Sequence, residues 1–340
     1  MFDIFLLEPG GAALDPQRVI DTVLGSGPTR RGFRNATQLF YRNDDTSVMF
    51  QVFLAPHVAE LLGERAVEEE EDAPPEAEDE SEAEGADEEA REPAAVESAE
   101  FALVTLQVPV IRPTFFALEA IEYAGRIASA LGLQMEHASA LDEPSDGTAP
   151  ASGSGTPAAV LESWLRSNRK ATLAVKDRTS LTFWPARKSR EYWAYGRARS
   201  ALAAELEPGG VRVPPLYLVA RDSLKKTLFV WDQGTPSVIP RTDLVLVRRE
   251  RVRSGILRSK RVIEEGIASG EALAEILAPS GEVRSVPADM IVWRGGPDTT
   301  KTVEERLGSL RLERADSVER TEPSNIVDVD PFSDPSEAVT

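Results

Sequence analysis

Between Val67 and Glu100 the chain holds 17 acidic residues against the single Arg91, a net charge of −16, and almost no large apolar side chain. Such a stretch cannot bury enough apolar surface to offset the entropy of ordering it, so the composition predicts a disordered acidic insertion at 67–100. Whatever the 340 residues fold into must be built on either side of it. The closure cost of a loop rises by only about 0.6 kcal/mol per doubling of its length, so strands before and after the insertion can share one sheet. The total charge is −19, and everything outside the insertion accounts for only −3.

Before the insertion, the short apolar run Phe2 to Leu7, closed by Pro9-Gly10-Gly11, reads as a strand buried on both faces. Asp15-Pro16 opens a helix as N-cap and first helical residue, and Val19, Ile20, Val23 and Leu24 follow at helical spacing. Thr37 to Tyr41 and Val48 to Leu54 flank the polar turn Asn43-Asp44-Asp45-Thr46 and predict a hairpin. After the insertion, Phe101 to Ile111 is β-rich, Phe116 to Leu131 is helical with one apolar side, and Leu133 to His137 adds a strand. The order predicts an α+β first domain over 1–66 and 101–141, with a ferredoxin-like split sheet and its helices on one face.

Asp142 to Pro157, rich in Pro, Ser, Gly and Asp, reads as a flexible linker. A second small α+β domain is expected over 158–314. It opens with a helix at Ala158 to Ser167 and a strand at Ala171 to Val175, followed by a helix at Arg187 to Leu206 and strands at Leu216 to Ala220, Thr227 to Trp231 and Leu244 to Arg248. A helix over Glu264 to Leu277, a hairpin turning at Pro279-Ser280-Gly281 and a last helix at Val303 to Leu312 complete it. Residues 315–340 read as a disordered acidic tail.

The composition excludes several chemistries. There is no cysteine, so disulfides, thiolate metal sites and cysteine nucleophiles are absent. Two histidines, His57 and His137, lie far apart, which argues against a multi-histidine metal site or a Ser-His-Asp arrangement. No catalytic constellation and no cofactor motif is found. The nearest approach is Met290 to Trp293 followed by Gly295-Gly296 and Lys301-Thr302, a phosphate-loop outline in which Thr300 stands where the glycine before the lysine is needed. The start of the chain has no basic, apolar leader, and arginine outnumbers lysine 31 to 7. The expectation is a bacterial, cytoplasmic protein without membrane insertion.

Charge segregation supplies the candidate sites. Val160 to Arg261 holds 22 basic against 9 acidic residues. Within it, Arg187, Lys188, Arg190 and Arg197 alternate with Trp and Tyr, the combination that grips phosphates and stacks on bases. Tyr192, Tyr195, Arg199 and Leu202 also fall near one helical face, a spacing equally compatible with aromatics in the core and arginines on a solvated face, and the sequence does not decide between the two. Arg248, Arg249 and Arg251 lie in a run alternating basic and apolar residues, as in an anion patch or a protected strand edge. In the tail, Ile326, Val327, Val329 and Phe332 alternate with acids and form a candidate docking motif for a partner. These features predict a non-enzymatic adaptor or regulatory protein acting through protein–protein interaction. The alternative is a nucleic-acid-binding protein that uses 160–261, with the acidic insertion as an intramolecular competitor.

Overall fold

The computed structural model describes residues 1–8, 14–31, 39–62, 102–139, 153–222, 224–254, 259–295 and 300–328. The chain is a mixed α+β protein in two compact units, Met1–Asn43 with Val48–Lys176, and Asp44–Ser47 with Asp177–Thr340. The acidic insertion lies outside the described residues, as do all but the last few residues of the expected linker.

In the first unit, β1 (Phe2–Leu7) leads to α1 (Pro16–Gly25), where Asp15 accepts the Gln17 N–H at 3.1 Å and Pro16 takes the first turn. Next come β2 (Thr29–Arg31), β3 (Leu39–Asn43), β4 (Val48–Leu54) and the short helix α2 at 56–62. Beyond the insertion follow β5 (Ala102–Val108), α3 (Phe115–Leu131), β6 (Gln134–Ser139), β7 (Gly153–Ser154) and α4 (Pro157–Val175). Gly132 ends α3 in the left-handed region at φ 73°, a conformation that only a residue without a Cβ adopts at little cost.

The seven strands form one sheet in the order β2-β3-β4-β5-β1-β6-β7. β5, which follows the insertion, pairs with both β4 and β1, so the sheet is assembled across those residues. β1 is antiparallel to β5 on one side and to β6 on the other. β5 and β6 therefore run parallel with β1 between them, and α3 connects them in a split β-α-β arrangement. Phe2, Ile4 and Leu6 stand in register with Val108, Leu106 and Val104, and all six are buried.

Two expectations are corrected here. Ala171 to Val175 is not a strand but the last part of α4, whose N-terminus Thr156 caps by accepting the Ala159 N–H at 3.3 Å. α4 packs beside α3 and against β1 and β6, so the helix expected to open the second region belongs to the first unit, and Gly153–Ser154 of the expected linker is a strand on β6. The apolar stripe of Val160 and Trp164 was legible, but which sheet it covers depends on contacts distant in sequence.

One carboxylate in β1 is out of keeping with its surroundings. Burial, opposed only weakly by the nearby N-terminal ammonium, pushes the Asp3 carboxyl up from 3.8 to about 6. Its Oδ1 is buried with no hydrogen-bond partner among the described residues. A raised folded pKa means that the native state holds the proton more tightly than the unfolded chain. The favourable state is complete below about pH 4 and is lost as the pH rises through about 6, at a cost of about 3 kcal/mol. Asp3→Asn is therefore expected to melt above the wild type at pH 7, with the gap closing below about pH 4. A thermal melt series across that range checks it, and a constant gap contradicts it.

The second unit contains β8 (Thr182–Phe183), α5 (Ala186–Leu206), β9 (Tyr217–Arg221), β10 (Leu224–Asp232), β11 (Ser237–Pro240), β12 (Leu244–Ser254) and β13 (Ser259–Ser269). It continues through α6 (Gly270–Leu277), β14 (Glu282–Arg284), β15 (Met290–Trp293), α7 (Thr300–Ser309), β16 (Glu319–Arg320) and β17 (Ile326–Val327). These strands form a five-stranded sheet β13-β12-β10-β9-β16, a three-stranded sheet β11-β15-β14 and the pair β17-β8. Trp231 from the first sheet meets Trp293 from the second edge-on, with ring centroids 5.8 Å apart. That contact fixes one sheet to the other.

The expected helix over Glu264 to Leu277 is strand up to Ser269 and helix only from Gly270. Two glycines show why. A Cβ at Gly266 would lie 2.7 Å from the Glu313 carbonyl oxygen, and one at Gly270 would lie 2.3 Å from that of Thr242. Both mark close backbone approaches of a sheet and its cap. The expected hairpin turn at Pro279-Ser280-Gly281 is a short 3-10 turn after α6, and the hairpin proper is β14 with β15. The tail is structured through β17, which corrects the expectation of disorder from residue 315 onward.

Candidate functional site

The aromatic-basic segment forms α5, and its aromatic residues divide by depth. Trp184, Tyr192 and Tyr195 are buried; Trp184 meets Tyr192 edge-on at 6.0 Å and Tyr195 donates its hydroxyl to the Pro214 carbonyl at 2.7 Å. Burial drives the Tyr195 phenol well above its ordinary value. These rings are core residues, which for Tyr192 and Tyr195 is one of the two readings their helical spacing allows. Trp193 is half-buried, with the Arg197 guanidinium 5.5 Å from its ring centre.

The cations at the start of α5 are matched by acids from elsewhere in the unit. Arg187 bonds Glu191 at 2.6 Å, one turn along the helix, and Asp289 at 2.7 Å. Arg241 reaches the same Asp289 at 3.3 Å. Burial pushes the Asp289 carboxyl up, but hydrogen bonds from Arg187 and Arg241 outweigh it and hold the group below its ordinary range. Lys188 stands 2.7 Å from Asp243 and 4.4 Å from the centre of the Trp184 ring. The same Asp243 oxygen accepts the Thr227 N–H at 2.8 Å and its hydroxyl at 3.0 Å. Arg190 and Arg197 lie on exposed positions of the helix. Arg187 and Lys188 thus tie α5 to the loops preceding β12 and β15.

Arg248 is not at an edge, whereas from Arg249 onward β13 is the only strand beside β12 among the described residues. β12 lies between β10 and β13, and its register sets Arg248 opposite Glu265 and Arg249 opposite Glu264. Arg248 meets Glu265 at 3.1 Å. Arg249 is buried, bonded to Glu264 at 2.7 Å and to the Leu307 carbonyl at 2.8 Å. Arg251 continues along the strand opposite Val262.

The tail motif is used within its own unit. Ile326 and Val327 are buried and pair in parallel with Thr182 and Phe183. The Trp184 N–H donates to the Val327 carbonyl at 2.9 Å, and the Lys225 ammonium donates to the carbonyls of Glu322 and Ser324. Ile326 and Val327 are therefore not an exposed linear motif for another protein, because the edge they fit is β8 of the same chain. Val329 and Phe332 lie outside the described residues.

No family model, curated protein or solved structure matches the chain.

The strand and helix of the phosphate-loop outline are present as β15 and α7, but residues 296–299 between them lie outside the described residues. Among the described residues no group of three or more His, Asp or Glu is placed to hold a metal ion, and no helix is long and apolar enough to cross a membrane. Sequence reasoning missed the acids that match the basic region. Only Glu191 was legible, four residues after Arg187 on a helix; Asp243, Asp289, Glu264 and Glu265 are brought in by sheet and loop packing.

The first unit holds a buried polar cluster that no motif announced. Glu119 of α3 is fully buried and accepts hydrogen bonds from Tyr41 and Asn43, each at 2.6 Å. Tyr123 donates to the Val23 carbonyl at 2.9 Å, and burial pushes its phenol up to about 12. The cluster pins β3 and α1 to α3.

Proposed function

We propose that this chain is a non-enzymatic adaptor or regulatory protein that acts by binding another protein. The observation that carries this reading is the side of β14, the outer strand of the three-stranded sheet, that has no strand neighbour among the described residues, where Val283 and, just beyond the strand, Val286 are 66% and 83% exposed. An unpaired strand edge with apolar side chains beside it is the surface to which an extended segment of a partner adds as a further strand. The charged groups that could serve chemistry are consistent with this reading, since Glu119, Asp243 and Glu264 each hold structural partners. The ferredoxin-like character of the first unit belongs to the same proposal: the split β-α-β core supports it, and the added hairpin strands extend it into a scaffold.

Affinity capture with mass spectrometry tests the reading, using the full chain and a Val283→Asp, Val286→Asp variant of unchanged melting temperature. A partner retained by the wild type and lost by the variant is expected. A partner retained equally by both refutes the edge as its binding surface, and capture of no partner refutes the adaptor reading.

A further inference from the structure

The edge strand β14 reads Glu282-Val283-Arg284, an apolar residue between an acid and a base. Glu282 and Arg284, two positions apart, share one face of the strand, where the Arg284 guanidinium meets the Glu282 carboxylate at 2.8 Å and that of Glu205 at 3.0 Å. Val283 stands on the other face and is exposed. β15 occupies one side of the strand, in the register Glu282 to Val292, Val283 to Ile291 and Arg284 to Met290, and no strand of the described residues lies on the other. The backbone groups of such an edge are a template for pairing with another chain.

The order of charges selects what that chain is. Laid antiparallel on a second β14 about a twofold axis at Val283, the strand meets itself with Glu282 opposite Arg284, Val283 opposite Val283 and Arg284 opposite Glu282. Each carboxylate then gains a second guanidinium, and opposite charges at directly opposed positions stabilise a pair of strands. A parallel pairing in register would set acid on acid and base on base. Sliding the antiparallel pair until Val283 meets Val286 would set Glu282 against Pro287 and Arg284 against Ser285, so that neither charge is matched across the junction.

We propose that the segment added at β14 is the β14 of a second copy of this chain, which joins two three-stranded sheets into one continuous sheet. This rests on the edge reading above and names its partner. The pairing is isologous, so it uses up the free edge of each copy and closes at a dimer. Three residues a side are far fewer than the roughly 20–30 of a standard interface, so the dimer comes apart on dilution.

Sedimentation velocity of the full chain over a concentration series tests it, at about 150 mM salt so that repulsion between two chains of charge −19 is screened beyond about 8 Å. A monomer that passes to a dimer as concentration rises is expected. Glu282→Arg alone and Arg284→Glu alone each set like charges opposite one another and weaken the dimer by about tenfold or more. An equimolar mixture of the two variants restores it, because each supplies the charge that the other lacks.

Cysteine cross-linking reads the same register if a charge reversal does not fold. The chain has no cysteine of its own, and directly opposed Cβ atoms lie about 4.5–5.5 Å apart, close to the reach of a disulfide. Val283→Cys is expected to give a disulfide-linked dimer on mild oxidation with copper phenanthroline. Val286→Cys, more exposed but away from the axis, is expected to remain monomeric under the denaturing readout. A monomer at every concentration overturns the second copy as partner. So does a dimer that the charge reversals do not weaken, or equal cross-linking at 283 and 286, either of which places the contact between copies elsewhere. The edge reading fails separately, on capture of a protein that the Val283→Asp, Val286→Asp variant retains equally.

Discussion

Trp231→Ala is expected to lower the stability of the second unit by about 3–5 kcal/mol, the range for emptying a buried aromatic site. Trp231 is 1% exposed, meets Trp293 edge-on and donates its indole N–H to the Thr235 carbonyl at 3.2 Å. The cavity would open where the five-stranded and three-stranded sheets meet. The surrounding residues cannot close it without separating strands that are hydrogen-bonded elsewhere, so little relaxation is available. Chemical denaturation followed by tryptophan fluorescence and circular dichroism measures the loss. A change below about 1 kcal/mol, as at ordinary surface positions, would mean that the two sheets do not share a core.

The second large effect lies in the first unit. Glu119→Leu is expected to cost roughly 2–5 kcal/mol, since each buried donor left without an acceptor carries about 1–3 kcal/mol. The Tyr41 hydroxyl loses its 2.6 Å bond to the carboxylate and keeps only its side-chain contact with Asn43, whose amide loses a 2.6 Å bond of its own. Glu119→Gln keeps an acceptor in place and is expected to recover most of that loss. A spectroscopic handle accompanies the melt. Burial first, then the charge and hydrogen bond of Glu119, drive the Tyr41 phenol above its ordinary value, so its ultraviolet titration moves down in a folded Glu119→Leu variant. Unchanged stability and an unmoved titration would contradict the role of this cluster.

Element types with strong local signals were legible in the sequence. Asp15-Pro16 marks the start of α1, the polar turn between two aromatic-rich runs marks the β3–β4 hairpin, and Gly132 marks the end of α3. Long-range placement was less legible. The sequence of α4 shows an apolar stripe but not that α3 and β6 receive it, and Ala171 to Val175 has strand-forming residues that the preceding helix overrides. Glu264 to Leu277 reads as a helix weakened by Gly266 and Gly270, whereas cross-strand pairing of Glu264 and Glu265 with Arg249 and Arg248 makes its first part a strand. The candidate sites divide in the same way. The helical spacing of Tyr192 and Tyr195 offers a core face beside a stacking surface, and packing decides it by burying both. Apart from Glu191, one helical turn after Arg187, the partners of Arg187, Lys188, Arg248 and Arg249 come from residues 15 to more than 100 positions away, which no local pattern encodes.

On the function proposed above, this chain works by presenting a strand edge to a protein partner. Hydrogen–deuterium exchange of residues 282–286, with and without the partner that the wild type captures, tests it most directly. Strand addition at β14 predicts slower exchange of these amides on binding, together with loss of the effect in the Val283→Asp, Val286→Asp variant. Exchange at 282–286 that is unaltered by a bound partner would contradict it.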